Sequence, residues 1–165
     1  MRPALALTTA VLALAGCAGL GVTEKSGSIG DELTAKGLKV TVKRLDRHVP
    51  VPESDLSGLS SPRAGHRLVG ARVRVCSDHG QAIGTYDFGV ESSAGEARVK
   101  FPALNYDDRF ESVRDGCEAG WLVLEIPRDS NVTTVTFRFE DTGSNQPGDN
   151  SDVDARFSWK VSAED

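Results

Sequence analysis

The sequence predicts an all-β protein: a sandwich of two sheets built from about seven strands, standing behind a signal peptide and a flexible tether. Three observations carry that expectation. The run from Cys117 to Pro127 alternates, with Leu122, Leu124 and Ile126 on one face and Trp121, Val123 and Glu125 on the other, and Pro127 ends it for want of an N–H. The run from Arg67 to Cys76 sets Val69, Ala71, Val73 and Val75 against Arg72 and Arg74. Several further short alternating runs are separated by Gly-, Ser-, Asn- and Asp-rich turns, with no amphipathic helix and no internal repeat, and two packed sheets are the most economical way to bury their apolar faces.

The 165 residues suffice for one domain with a proper core, and 39% hydrophobic and 26% charged residues are ordinary for a folded chain. A net charge of −5 offers no cationic footprint for phosphates, so nucleic acid is not an expected partner.

At the N-terminus Arg2 precedes an apolar run from Ala4 to Ala15, too short for a permanent membrane span of about 20 residues. Leu14-Ala15-Gly16-Cys17 follows. These residues resemble the signal peptide and lipobox of bacterial lipoproteins. The resemblance implies cleavage before Cys17 and acylation of its thiol, with residues 1–16 lost as the signal, and losing Arg2 takes the net charge from −5 to −6. Buried acyl methylenes, each worth about 0.8 kcal/mol, then hold the protein on the extracytoplasmic face of the cell membrane. Cys76 and Cys117 remain as an even pair in an oxidising compartment and are expected to bond. Cys76 is out of phase with the valines and Cys117 with Leu122, which places the bridge on the solvent side or at the sheet's end rather than in the core.

Residues 17–36 read as lipidated N-terminus and tether, Gly-, Ser- and Thr-rich, with room for a helical turn near Asp31 to Lys36, and the domain occupies residues 37–165. Its strands begin with Leu38 to Arg44, after which Asp46 to Gly65 is a long proline- and serine-rich loop. Beyond the Arg67–Cys76 strand, Tyr86, Phe88 and Val90 alternate, Ser93-Ala94-Gly95 turns, and Ala97, Val99 and Phe101 alternate again, the expected signature of a hairpin. After the Cys117 strand, Val135, Phe137 and Phe139 and then Val153, Ala155, Phe157, Trp159 and Val161 form a closing hairpin.

Three blocks, Ala64 to Val69 leading to Val73-Arg74-Val75-Cys76, then Cys117 to Pro127 with its Gly120-Trp121 step, and the closing hairpin, resemble actinobacterial lipoproteins carrying an immunoglobulin-like (telokin-like) domain of unknown function, related to small secreted mycobacterial antigens. The resemblance implies an immunoglobulin-like sandwich at the cell surface and brings no assigned activity. Ser77-Asp78-His79-Gly80 stands where that family often has Asn-Gly.

Few residues suggest chemistry. His48, His66 and His79 lack metal-ligand spacing, and neither a metal nor another cofactor is expected. Asp149, Asn150, Asp152 and Asp154 fit a solvated hairpin better than a Ca²⁺ loop, and Asp107, Asp108 and Glu111 fit exposed loop acids better than a catalytic pair. No catalytic residue is assigned, and the protein is not expected to be an enzyme. Trp121 and Tyr106 are the candidate recognition anchors, although Trp121 is also accounted for as cover for the disulfide or the second sheet. Lys39, Lys43, Arg72 and Arg74 outline a basic stripe that interspersed acids would make an ordinary solvated face. The function these features favour is binding of an envelope or extracellular protein; the alternative is carriage of a small apolar ligand between the sheets, for which Ala71, Ala97 and Ala155 leave room.

Overall fold

The computed structural model describes residues 22–47, 62–78, 80, 82–100, 108–140 and 154–162. Cys17, His48, His79, Tyr106, Asp107, Asp149, Asn150 and Asp152 lie outside the described residues, as do the signal peptide, most of the expected loop after Asp46 and the turn of the closing hairpin.

Strand β1 (Val22–Ser28) is followed by β2 (Glu32–Ala35), β3 (Leu38–Asp46), β4 (His66–Ser77), β5 (Ile83–Gly84), a 3-10 turn (Thr85–Asp87), β6 (Phe88–Ser92), β7 (Arg98–Lys100), β8 (Ser112–Val113), β9 (Gly116–Pro127), β10 (Val132–Glu140) and β11 (Asp154–Lys160). One sheet has the order β1-β11-β10-β6 and the other β2-β3-β4-β9-β7, with β5 and β8 as a short extra pair. The apolar faces of the two sheets form one core. Leaving out β1, β2 and the short β5–β8 pair, the seven remaining strands give β3-β4-β9-β7 against β11-β10-β6. This is the ABED and GFC arrangement of the immunoglobulin sandwich. The expected fold class is therefore observed.

The core is rich in aromatic rings. Phe88 meets Phe110 and Phe137 edge-on at 5.8 and 5.0 Å, Phe137 stacks on Phe157 at 5.8 Å, and Phe157 meets Trp159 edge-on at 6.1 Å. Trp159 keeps its indole N–H satisfied by donating to the Asp31 carbonyl at 3.0 Å, which lets a polar-tipped ring stay wholly buried.

Two expectations are corrected. Residues 22–35 are not tether: β1 pairs in parallel with β11, from Val22 opposite Asp154 to Ser28 opposite Lys160, and β2 pairs with β3 where a helical turn seemed open. β1 is an edge strand with little apolar surface, held by its ladder bonds to β11 rather than by a buried face. The expected hairpin of the Phe88 and Val99 runs does not form either. β6 pairs with β10 and β7 with β9, so the turn at Ser93–Gly95 carries the chain from one sheet to the other. Phe88 and Val99 each fill a different inner face, and alternation alone cannot say which partner a strand takes. The closing hairpin is as expected, β10 against β11 with Phe137 opposite Phe157.

Candidate functional site

The candidate face is built where β3, β4 and β9 lie side by side. Every residue of β4 from His66 to Ser77 pairs in unbroken register with β9 from Pro127 to Gly116, so Val69, Ala71, Val73 and Val75 face inward with Leu122, Leu124 and Ile126 while Arg72, Arg74, Trp121 and Glu125 face out. On β3 a bulge between Val42 and Arg44 skips Lys43 and sets Arg44 opposite Arg72. The result is a transverse row, Arg44, Arg72 and Trp121, in which the guanidinium carbons lie 5.1 and 5.6 Å from the indole centroid. Both distances fall within the cation–π range.

A segment from the opposite edge of β9 frames the ring. The Trp121 N–H donates to the Asp108 carbonyl at 2.8 Å and the Phe110 N–H donates to the Trp121 carbonyl at 3.0 Å. Asp108 takes a left-handed φ of 62° and ion-pairs through its carboxylate with Arg72. Gly120 permits this approach: a Cβ there would stand 2.3 Å from the Phe110 nitrogen and 2.5 Å from the Arg109 carbonyl carbon. The Gly-Trp step thus has a packing cause, which seats Phe110 in the core and Trp121 outside.

Farther along β9, the Glu125 carboxylate is fully buried on the outward-facing side of the sheet, where Arg63, Arg98 and Lys100 enclose it. The Arg98 Nε donates to it at 3.0 Å, and the Lys100 ammonium lies 3.2 Å away. Burial pushes this carboxyl up, but hydrogen bonds from Arg63, Lys100 and Arg98 outweigh burial and bring its pKa down to about 2. Arg63 also pairs with Glu96 at 3.2 Å and approaches the His66 ring at 3.2 Å.

The sandwich end where β3 and β11 finish and β4 and β10 begin holds a cleft of about 390 Å³, floored by Leu45, Val69, Val132 and Val161 and rimmed by Arg47 and Arg67. Arg67 is held there by donating to the Ser130 carbonyl at 2.8 Å.

Cys76 and Cys117 are bonded, directly opposite each other in the β4–β9 ladder with Cα atoms 4.0 Å apart. The bridge lies at the end of one sheet and outside the core, as the phase of the two residues predicts. Trp121 faces away from the second sheet, so the reading that it covers that sheet is corrected: its face is the outer one, because the inner positions of β9 are taken by Gly120, Leu122 and Leu124. Of the basic stripe, Lys39, Arg72 and Arg74 share the outer face, while the bulge substitutes Arg44 for Lys43 as the partner of Arg72. Asp108 and Glu111 are committed to different arginines, Arg72 and Arg109, and so do not form a carboxylate pair. The His66 ring lies 3.1 Å from the Ala64 carbonyl, and among the described residues no three His, Cys, Asp or Glu side chains converge as metal ligands.

Sequence reasoning missed Arg44 and the shell of Glu125. The first depends on a bulge with no mark in the residue pattern. The second depends on Arg98 standing opposite Glu125, which the expected β6–β7 hairpin concealed.

With the architecture established, comparison with known proteins bears on the fold alone. No protein-family model and no curated protein matches the sequence. Among solved structures, the chain is similar to ycdA of Bacillus subtilis, provisionally assigned as a lipoprotein, with a TM-score of 0.54 and 12% identity over 81% of this chain and 39% of that one. The present chain thus spans about two fifths of that relative's length. It is also similar to the secreted protein MPT63 of Mycobacterium tuberculosis, with a TM-score of 0.51 and 18% identity over 84% of this chain and 98% of that one. At these identities the likeness establishes a related β-sandwich.

Proposed function

We propose that this protein is an envelope lipoprotein, anchored through Cys17 on the extracytoplasmic face of the membrane, whose non-catalytic immunoglobulin-like sandwich binds an acidic patch on another envelope or extracellular protein. The observation that carries the binding role is the Arg44–Arg72–Trp121 row. Tryptophan and arginine are the residues that most often dominate interface energetics, and here they are pre-assembled on a flat sheet face beside Lys39 and Arg74 in a chain that is acidic overall. The lipobox supports the anchor, and the two structural neighbours, one provisionally a lipoprotein and one secreted, agree with an exported domain.

Chemical crosslinking in intact cells tests the binding role. A partner captured by the native protein should be lost with Trp121→Ala and Arg44→Glu, while Lys160→Glu, on the other sheet, retains it. Equal capture by all the variants refutes the assignment of this face. The anchor is tested separately: Cys17→Ser should move the protein from membranes to the soluble fraction, and a variant that still pellets after a salt wash removes the lipoprotein reading.

Carriage of a small ligand is the second reading, and the cleft of about 390 Å³ at the sandwich end is what favours it, being large enough for a small molecule, with an apolar floor and two arginines at its rim. Native mass spectrometry of gently purified protein would show a retained amphiphile if this reading holds.

A further inference from the structure

The correction to the tether shortens the leash between anchor and domain. Cys17 is five residues before Val22, where β1 begins, and five residues reach at most about 18 Å when fully extended. The strands of the larger sheet run to 12 residues, about 40 Å. The leash is therefore shorter than the sandwich is tall, and the end of the domain that carries Val22 is held near the bilayer.

That end has a distinctive surface. Val22 opposes Asp154 and Asp154 opposes Glu140, so the starts of β1 and β11 and the finish of β10 lie together; Phe88 opposes Phe137, three residues in from Glu140, and the Thr85–Asp87 turn precedes it on the side towards that end. The two exposed large hydrophobic residues among those described, Val22 at 40% and Tyr86 at 67%, are both on this side, three strands or about 14 Å apart across the sheet and offset along it. Two ion pairs lie beside them, Arg138 with Glu140 and Arg156 with Glu24. Among the described residues, the opposite end, with the cleft and Arg47 and Arg67, carries no exposed large hydrophobic.

We propose that the domain stands end-on upon the membrane that holds its anchor, with Val22 and Tyr86 seated at headgroup level as a second, weak contact. Tyrosine suits that depth, since its ring is apolar and its hydroxyl stays wet. The Arg44–Arg72–Trp121 row then faces sideways and the cleft end faces away from the lipid, both accessible to partners. This rests on the lipid-anchor reading above.

The test uses the full chain processed in a lipoprotein-producing host, purified and reconstituted into phosphatidylethanolamine–phosphatidylglycerol vesicles carrying headgroup-level spin-labelled lipid. Tryptophan fluorescence is compared between Tyr86→Trp and Ser162→Trp, which share the two native indoles as background. Quenching of the added indole should be at least about twofold greater at position 86 than at 162, as expected for a ring at interfacial depth. Equal or reversed quenching overturns the proposal. Mass spectrometry of the same preparation reports acylation of Cys17: an unmodified thiol removes the anchor reading and the proposal with it, whereas an acylated protein with unquenched position 86 overturns the proposal alone. Hydrogen exchange on the unsubstituted lipoprotein checks both without a variant, with slowing expected at Thr85–Asp87 on vesicles and none at Asn131–Thr133. Slowing at the second segment instead would overturn the end-on pose.

Discussion

Gly120 and Glu125 are two residues of β9 on which much of this architecture depends, for opposite reasons. At Gly120 the absence of a side chain is what matters: Gly120→Ala would drive a methyl into the Arg109–Phe110 backbone, which cannot yield as a flexible side-chain tip would. The segment carrying Phe110 must move, and the variant should lose about 2–3 kcal/mol in chemical denaturation, the upper range for overpacking. At Glu125 the charge is what matters. Its folded pKa of about 2 lies below its ordinary value of 4.5, so the carboxylate's contribution to stability is complete above about pH 4.5 and is lost as the pH falls towards 2. Glu125→Gln should cost about 3 kcal/mol at neutral pH, the low end for breaking a buried ion pair because Arg63 and Arg98 stay partly solvated. It should also flatten the acid limb of the stability profile between pH 4.5 and 2; an unchanged acid limb would show that other carboxylates govern it.

At the scale of elements, strands with one apolar face were legible and strands without one were not. β3, β4, β9, β10 and β11 each carry three or more alternating core residues, and their periodicity locates them to within a residue or two. β1 carries none: Thr23, Lys25 and Gly27 occupy its inward phase, so nothing in Val22–Ser28 distinguishes a strand from a polar linker until β11 offers it an edge. The Arg44–Trp121 contact was illegible for a related reason, since it exists only through a bulge in β3 and the β3–β4 register, while Trp121 itself was singled out by its phase. The β1 assignment makes a direct prediction. Backbone amides within Thr23–Gly27 that bond to β11 should exchange with solvent at least tenfold more slowly than an unstructured chain, corresponding to about 1.4 kcal/mol of local stability. Exchange at the unstructured rate throughout would restore the tether reading, and with it a long leash.

For the whole molecule, the location of the disulfide decides what the two sheets owe to covalent chemistry. An inter-sheet bridge would join the layers directly, but Cys76 and Cys117 link neighbouring strands of one sheet, 41 residues apart in sequence and outside the core. Sheet-to-sheet cohesion therefore falls to the apolar core, where the ring row Phe88, Phe137, Phe157 and Trp159 on one sheet is buried in a single cluster with Val40, Val73, Leu122 and Leu124 of the other. Closing a loop of that length in the unfolded chain is worth about 4 kcal/mol on chain-entropy grounds. Reduction, or the paired Cys76→Ser and Cys117→Ser variant, should lower the midpoint of thermal unfolding while leaving the sharp Trp and Phe bands of the near-ultraviolet circular dichroism unchanged at low temperature, apart from the loss of the broad disulfide band, since no core contact is lost. Phe137→Ala, which touches both Phe88 and Phe157, should cost a comparable 3–5 kcal/mol and also degrade the near-ultraviolet signal, because it opens a cavity where the layers meet. The two variants thus predict similar losses of stability with different spectroscopic consequences. If the cysteine variant loses its aromatic signature at low temperature, the bridge is holding the layers together and the division of labour drawn here is wrong.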